Sequence, residues 1–415
     1  MGRTVRRRWL AQRWRLPTAL VKRSGLDWVR VGLLLAGLLC VATGLLPADE
    51  AERNIRRIAP LLLFLASVIV LANLAKQAQV FDVIATRLAI IGRGNYLALF
   101  LLCVAFASAT TAFLNLDTTA VLLTPVLLAL AGRAEIAPVP LAMTTIWLAN
   151  TASLLLPVSN LTNLLAADRI TLSAPAFAAR MWLPAVTAIA ATMIFLWICY
   201  WRRRRRGRDR YISPAPLKLT KRGQPVLFRI TGAACLLFIV AIPIVGDQIG
   251  LAALAAASIA VLAFAVLDRR QLTMGLIPWQ LLILVTGLFL VVPTLSRHGL
   301  SDVMSGLIGT GRGEVAEYRA ATAGVVLSNA LNNLPAYTAG EAVIPKSSGD
   351  VLLALLIGTN VGPIITPWAS LATLLCLESC RRYGLRIRLG AFVLAGAGLA
   401  VVGLVLSVGA LRLTS

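Results

Sequence analysis

Ala149-Asn150-Thr151-Ala152-Ser153-Leu154-Leu155-Leu156-Pro157-Val158-Ser159-Asn160-Leu161-Thr162-Asn163-Leu164-Leu165 is one of two related stretches in this chain. The other is Thr359-Asn360-Val361-Gly362-Pro363-Ile364-Ile365-Thr366-Pro367-Trp368-Ala369-Ser370-Leu371-Ala372-Thr373-Leu374-Leu375. They align without a gap, with Asn150 on Asn360, Pro157 on Pro367, Leu161 on Leu371 and Leu164 on Leu374. Each sets amides, hydroxyls and a proline in the middle of an apolar segment. Lipid-facing backbone cannot be broken there, because its N–H and C=O groups would find no partners. Such breaks must be buried in protein or line a cavity. A matched pair in two halves points to the central binding site of a membrane carrier.

Composition agrees with a membrane chain. Of 415 residues, 59% are hydrophobic and 14% charged, far from a soluble balance. Apolar segments fall at 28–46, 58–75, 96–113, 117–131, 138–166, 175–200, 227–246, 249–267, 277–296, 318–346, 350–378 and 388–411. Several reach the roughly 20 residues that cross a bilayer. The net charge of +23 is not that of a nucleic-acid binder. Its arginines crowd residues 3–23 and 202–222, beside apolar segments, where the positive-inside rule places them in the cytoplasm. The N-terminal basic run is too long and polar for a cleaved signal peptide, so the first apolar helix is expected to stay.

The two halves match beyond the opening pair. Pro60 pairs with Pro278, Asp82-Val83 with Asp302-Val303, Gly92-Arg93-Gly94 with Gly311-Arg312-Gly313, and Asn115-Leu116 with Asn333-Leu334. The offset runs only from 210 (Asn150 to Asn360) to 220 (Asp82 to Asp302). With a cytoplasmic N-terminus, the charge count inverts the second half relative to the first. The loop 47–57 then lies outside despite Arg53, Arg56 and Arg57, a mild conflict. The expected fold is an all-α polytopic membrane protein of inverted-topology repeats, each with a re-entrant hairpin and a broken transmembrane helix. The expected division is a basic tail over 1–26, a first repeat over 27–200, a basic cytoplasmic linker over 201–226, a connecting helix over 227–246 and a second repeat over 247–415.

The hairpin tips read Phe113-Leu114-Asn115-Leu116-Asp117-Thr118-Thr119 and Leu331-Asn332-Asn333-Leu334-Pro335. Isolated polar residues in membrane helices usually act as interhelical glue. Four polar breaks in matched positions argue instead for a site. Its candidate substrate-binding residues are Asn115, Thr118, Asn150, Ser159, Asn160, Thr162, Asn163, Asn332, Asn333, Asn360, Thr366 and Ser370. Asp117 is the candidate proton carrier, since an intramembrane acid is by default functional; the alternative is a helix cap at the hairpin turn. Glu341 and Glu378 are weaker candidates near membrane edges, and Asp168 is placed at a helix end with Arg169. No phosphate-binding loop, HExxH, GxSxG or Cys/His cluster occurs, so neither an enzyme, a metal site nor a cofactor is expected. Cys376 and Cys380, one helical turn apart, read as buried thiols, with a weakly supported soft-metalloid contact as the other reading.

At these residues the chain resembles the ArsB-type arsenite permeases of the ion transporter superfamily, which also holds NhaD-type sodium/proton antiporters and divalent-anion/sodium symporters. The resemblance rests on Ser159-Asn160-Leu161-Thr162-Asn163, Leu331-Asn332-Asn333-Leu334-Pro335 and, most specifically, Gly358-Thr359-Asn360-Val361-Gly362-Pro363 with Thr366-Pro367-Trp368-Ala369-Ser370-Leu371-Ala372-Thr373. It covers residues 28–411. It implies a secondary carrier that exports arsenite or antimonite in exchange for protons, in the bacterial cell membrane among lipid. It further implies a homodimer, a site on a moving domain, and for some members a separate cytoplasmic ATPase. Sodium/proton exchange and organic-anion transport are the alternatives within the superfamily. Two departures stand out. The family usually has a further span before residues 28–46, and the hairpin tips lack the Ser-Asn-Thr of dicarboxylate carriers.

Overall fold

The computed structural model describes residues 25–202, 210–220, 223–245, 248–309, 311 and 313–414. Most of the N-terminal basic tail, the arginine run at 203–209, Lys221, Arg222 and Arg312 lie outside these residues. Among the described residues the regular structure is helical, with no strand, and eight helices are long and apolar enough to cross a membrane. The chain is therefore a multi-pass membrane protein.

One group of helices forms a scaffold. It contains α1 (Gly25–Ala42), α2 (Ala48–Gln77), α9 (Gln224–Ala241), α10 (Ile249–Leu267) and α11 (Trp279–Leu295). Within it α1 packs on α11, and α2 packs on α10 and α9. The first pairing is tight because Gly37 and Gly287 meet: a Cβ on Gly287 would stand 2.7 Å from the backbone nitrogen of Leu34. Helix α2 begins earlier than its apolar stretch suggests. The expected loop 47–57 is its first turns, which start after Pro47 with Asp49 and Glu50 at the positive end of the helix dipole. Two of the conflicting arginines are paired one turn apart, Arg53 with Asp49 at 2.8 Å and Arg56 with Glu52 at 2.5 Å.

The second group forms a core. From the first half come α3 (Val80–Ile91), α4 (Tyr96–Leu114), α5 (Leu116–Arg133), α6 (Pro138–Thr151), α7 (Leu161–Arg169) and α8 (Ala174–Trp201). From the second come α12 (Ser301–Ile308), α13 (Glu314–Ala330), α14 (Asn333–Val343), α15 (Gly349–Val361), α16 (Leu371–Arg382) and α17 (Leu389–Leu411). Packing follows the sequence matches: α4 lies on α6 as α13 lies on α15, and α8 packs on its counterpart α17. Pro184 within α8 has no N–H for the carbonyl of Arg180. The Thr414 hydroxyl, just past α17, donates to that carbonyl at 2.8 Å instead. The Gly-Arg-Gly turn before α4 is left-handed at Arg93 and Gly94, with φ of 47° and 80°. Linker residue Tyr211 donates to the carbonyl of Ala89 at 2.6 Å, so this part of the linker is docked on the core.

The α13–α15 contact depends on Gly358, where a Cβ would collide with the carbonyl of Ala321. Gly358→Val is therefore expected to destabilise the core by about 1–3 kcal/mol, as overpacked helix contacts do. A thermal melt of detergent-solubilised protein checks this; the exposed Gly132, with open space around it, is the neutral control as Gly132→Ala.

Candidate functional site

Both marked stretches break around their prolines, with Asn150 and Asn360 in the last turn of the preceding helices. Helix α6 ends at Thr151, passes through short 3-10 turns at Ala152–Leu154 and Pro157–Ser159, and resumes as α7 at Leu161. Leu156, ahead of Pro157, is extended at φ −126° and ψ 151°, as a residue before proline prefers. Helix α15 ends at Val361, makes a 3-10 turn at Gly362–Ile364, and the chain resumes as α16 at Leu371.

The two breaks hold each other across the halves. The Asn150 amide donates to the Thr373 hydroxyl at 3.1 Å, and the Asn360 amide donates to the Asn163 carbonyl oxygen at 2.8 Å. These bonds are related by the alignment, which sets Asn150 on Asn360 and Asn163 on Thr373. The correspondence extends one step further. Asn163 donates to the carbonyl of Ser153 at 2.6 Å, and Thr373 to that of Pro363 at 3.3 Å, so each clasp closes onto the freed carbonyl of its own break. Asn360 accepts two more bonds, from Asn160 at 2.9 Å and Thr162 at 3.0 Å. All six side chains are buried. Ser159 donates to the carbonyl of Ala112 at 2.8 Å, tying the first break to α4.

The hairpin apices are Asn115, at φ 80° and ψ 166°, and Asn332, at φ 128° and ψ 157°. Matching the apices by this shared backbone pairs Asn115 with Asn332. The sequence match of Asn115 with Asn333 is thus displaced by one, and Asp117 falls opposite Leu334 rather than Pro335. A positive φ suits asparagine better than most L-residues, and the adjacent Asn332 and Asn333 made either register readable. At the first apex the cap is Asn115, whose side-chain oxygen accepts from the Thr118 N–H at 3.0 Å. Capping is therefore the work of Asn115, not of Asp117.

The two apices differ in what they leave unpaired. At the second, Asn332 donates to the carbonyl of Trp368 at 2.9 Å, and the Asn333 N–H donates to that of Ala369 at 2.8 Å. Thr366 donates through its hydroxyl to Asn329 Oδ1 at 2.9 Å. At the first, Asp117 Oδ1 and the Thr118 hydroxyl are sealed from solvent and have no hydrogen-bond partner, and so are Asn150 Oδ1 and the Ser370 hydroxyl. The start of α5 packs on α6, which carries Asn150, and on α16, which Ser370 precedes. Four uncommitted oxygens thus belong to three mutually packed elements. Buried polar atoms are normally satisfied; other unpaired ones, such as Trp147 Nε1 and the Tyr337 hydroxyl, are scattered, whereas these four gather at the breaks and the first apex, where a ligand could pair them.

Sequence reasoning missed Thr373, Asn329 and Arg57. Thr373 was legible, since it aligns with Asn163. Asn329 lies on the arm before the second apex and binds the carbonyl of Gly362 at 3.0 Å as well as Thr366. Among the described residues no group of three or more metal-binding side chains occurs. Cys376 is buried and accepts from the Thr124 hydroxyl at 3.2 Å.

Fold and site together define a helical membrane transporter built around two broken helices. The chain matches the citrate transporter family, CitMHS, over residues 26–349, and belongs to it. It is 29% identical over 365 residues to an arsenical pump membrane protein of Escherichia coli, covering 84% of each chain. It is 29% identical over 369 residues to the arsenical pump membrane protein of Shigella flexneri, with the same coverage. In fold it is similar to the YdaH transporter of Alcanivorax borkumensis, a structure described as having an unusual topology, with a TM-score of 0.57 and 16% identity over 94% of this chain and 98% of that one.

The clasp predicts an order of sensitivity. Asn360→Leu strips partners from Asn160, Thr162 and Asn163, whereas Thr373→Val strips them from Asn150 and the Pro363 carbonyl. With about 1–3 kcal/mol for each buried group left bare, Asn360→Leu is expected to lower the melting temperature further. Thermal unfolding of the two variants checks the order.

Proposed function

We propose that this chain is a secondary carrier that exports arsenite or antimonite from the cytoplasm in exchange for protons. The observation that carries the reading is the set of uncommitted oxygens at Asp117, Thr118, Asn150 and Ser370. Undissociated arsenite is a neutral solute with three hydroxyl donors, and it complements acceptors without a fixed countercharge. An organic anion would need several donors, and this set offers two, the hydroxyls of Thr118 and Ser370. The amides of Asn150, Asn160, Asn163 and Asn360 are already bound to protein oxygens. The arsenical pump relatives support the same substrate class.

In this reading the residues divide their labour. Asn160, Thr162, Asn163 and Asn360 hold the breaks together, and Asn332, Asn333 and Thr366 fasten the second apex. Asn115 shapes the first apex, with Ser159 anchoring it through Ala112. The uncommitted four receive the solute, and Asp117 carries the proton. The halves 27–200 and 247–415 are related by inversion, the hairpins are re-entrant, and the basic linker 201–226 stays in the cytoplasm of a cell whose membrane holds the chain. A cluster of oxygens also suits sodium, and sodium/proton exchange is the second reading.

Everted vesicles test the proposal. With an imposed gradient of about one pH unit, each coupled proton supports about tenfold accumulation of a neutral solute. Asp117→Asn is expected to remove one such factor while solute–solute exchange continues. Undiminished proton-driven arsenite uptake in that variant would remove Asp117 from the coupling. Sodium-driven collapse of the pH gradient, with no arsenite uptake by wild type, would favour the second reading.

A further inference from the structure

Arg57, on scaffold helix α2, reaches two acids of the core. Its Nη2 donates to Glu341 Oε1 at 2.8 Å and its Nε to Asp168 Oδ2 at 2.9 Å. Glu341 belongs to α14, the second arm of the second hairpin, and Asp168 lies near the end of α7, so the arginine joins the scaffold to both halves. The Glu341 side chain is only 6% exposed, against 33% for Arg57 and 53% for Asp168. The remaining titratable or charged groups that act on Glu341 are Arg169, beside Asp168, and Tyr337, one turn earlier on α14. Tyr337 is fully buried and its hydroxyl has no partner.

These contacts differ in what they lose if the core shifts against the scaffold. Asp168 is half exposed, and water can replace Arg57 beside it. Glu341 is shut off from water, and with Arg57 gone it keeps only the non-hydrogen-bonded charge of Arg169, so its charged form is disfavoured. Departure of the guanidinium favours proton uptake by Glu341, and return of Arg57 favours its release. The balance is simple: the carboxylate gains a proton from hydronium, water is released, and Arg57 keeps its charge. The Tyr337 hydroxyl, one turn earlier on the same face of α14, adds no hydrogen bond to the carboxylate.

We propose that Glu341 is a second proton-carrying group of this carrier, at which a proton and Arg57 compete for one carboxylate as the core moves on the scaffold. The inference rests on the proton-coupled reading above and adds a site remote from the uncommitted oxygens. It couples proton uptake to core movement, separately from proton binding at Asp117.

The full chain, reconstituted in vesicles, tests it. Two coupled protons at a gradient of about one pH unit support roughly hundredfold arsenite accumulation. Glu341→Gln is expected to reduce this by about tenfold and to flatten the pH dependence of uptake, with solute–solute exchange retained. Arg57→Gln/Glu341→Gln is expected to match Glu341→Gln alone, because the competition has already been removed. Wild-type accumulation and an unchanged pH profile in Glu341→Gln would overturn this inference and leave the transport reading intact. Absence of proton-driven uptake in wild type would overturn both. If Glu341→Gln fails to insert, Glu341→Asp and Arg57→Lys replace it. A shifted pH midpoint in either supports the inference, and unchanged midpoints in both overturn it.

Discussion

The structure depends on a requirement of backbone chemistry: a helix broken inside a membrane protein must find partners for the peptide groups that the break releases. Here each break is closed from within by a side chain ten residues downstream, Asn163 onto Ser153 and Thr373 onto Pro363. Those same side chains accept the amides of the opposite half, Asn360 and Asn150. One pair of positions thus satisfies the local backbone and joins the halves. The residues that make the chain look polar in its middle are largely spent on this clasp.

What the clasp leaves over is unequal. The second apex is fastened to the second break by Asn332, Asn333 and the Asn329–Thr366 contact. The first apex carries Asp117 and Thr118 with bare oxygens, facing elements that supply two more, from Asn150 and Ser370. Equivalent backbone geometry at both apices therefore yields one fastened corner and one open to a ligand's hydrogen bonds. The asymmetry follows from a few side chains, not from a different fold.

Much of this was legible in the sequence. The gapless match of Asn150 with Asn360 and of Pro157 with Pro367 located both breaks, because matched polar groups and a proline, which lacks an N–H, gather there in the middle of apolar segments. The helical, multi-pass character followed from apolar length. Other features were not legible, for identifiable reasons. Two adjacent asparagines at 332 and 333 hid which one takes the positive φ, so the apex register slipped by one. A polar stretch at 47–57 resembled a loop, although it forms the first turns of α2, where Arg53 and Arg56 pair with Asp49 and Glu52 one turn earlier. Arg57 looked like a topological inconvenience because its partners lie 111 and 284 residues away in sequence. That Asn160, Thr162 and Asn163 are committed to Asn360 could not be read from residue types, which do not show which donor meets which acceptor.

The most direct test of the clasp is covalent. The chain is split within the 201–226 linker and its halves are co-expressed, with the native cysteines replaced by serine and cysteines placed at 150 and 373. Mild oxidation should join the halves into one species of full-chain size, reversible by reductant. Cysteines at 150 and the lipid-facing position 401 should leave them apart. Failure of the 150–373 pair to cross-link in folded, membrane-inserted protein would contradict the central claim that the two broken helices hold each other across the halves.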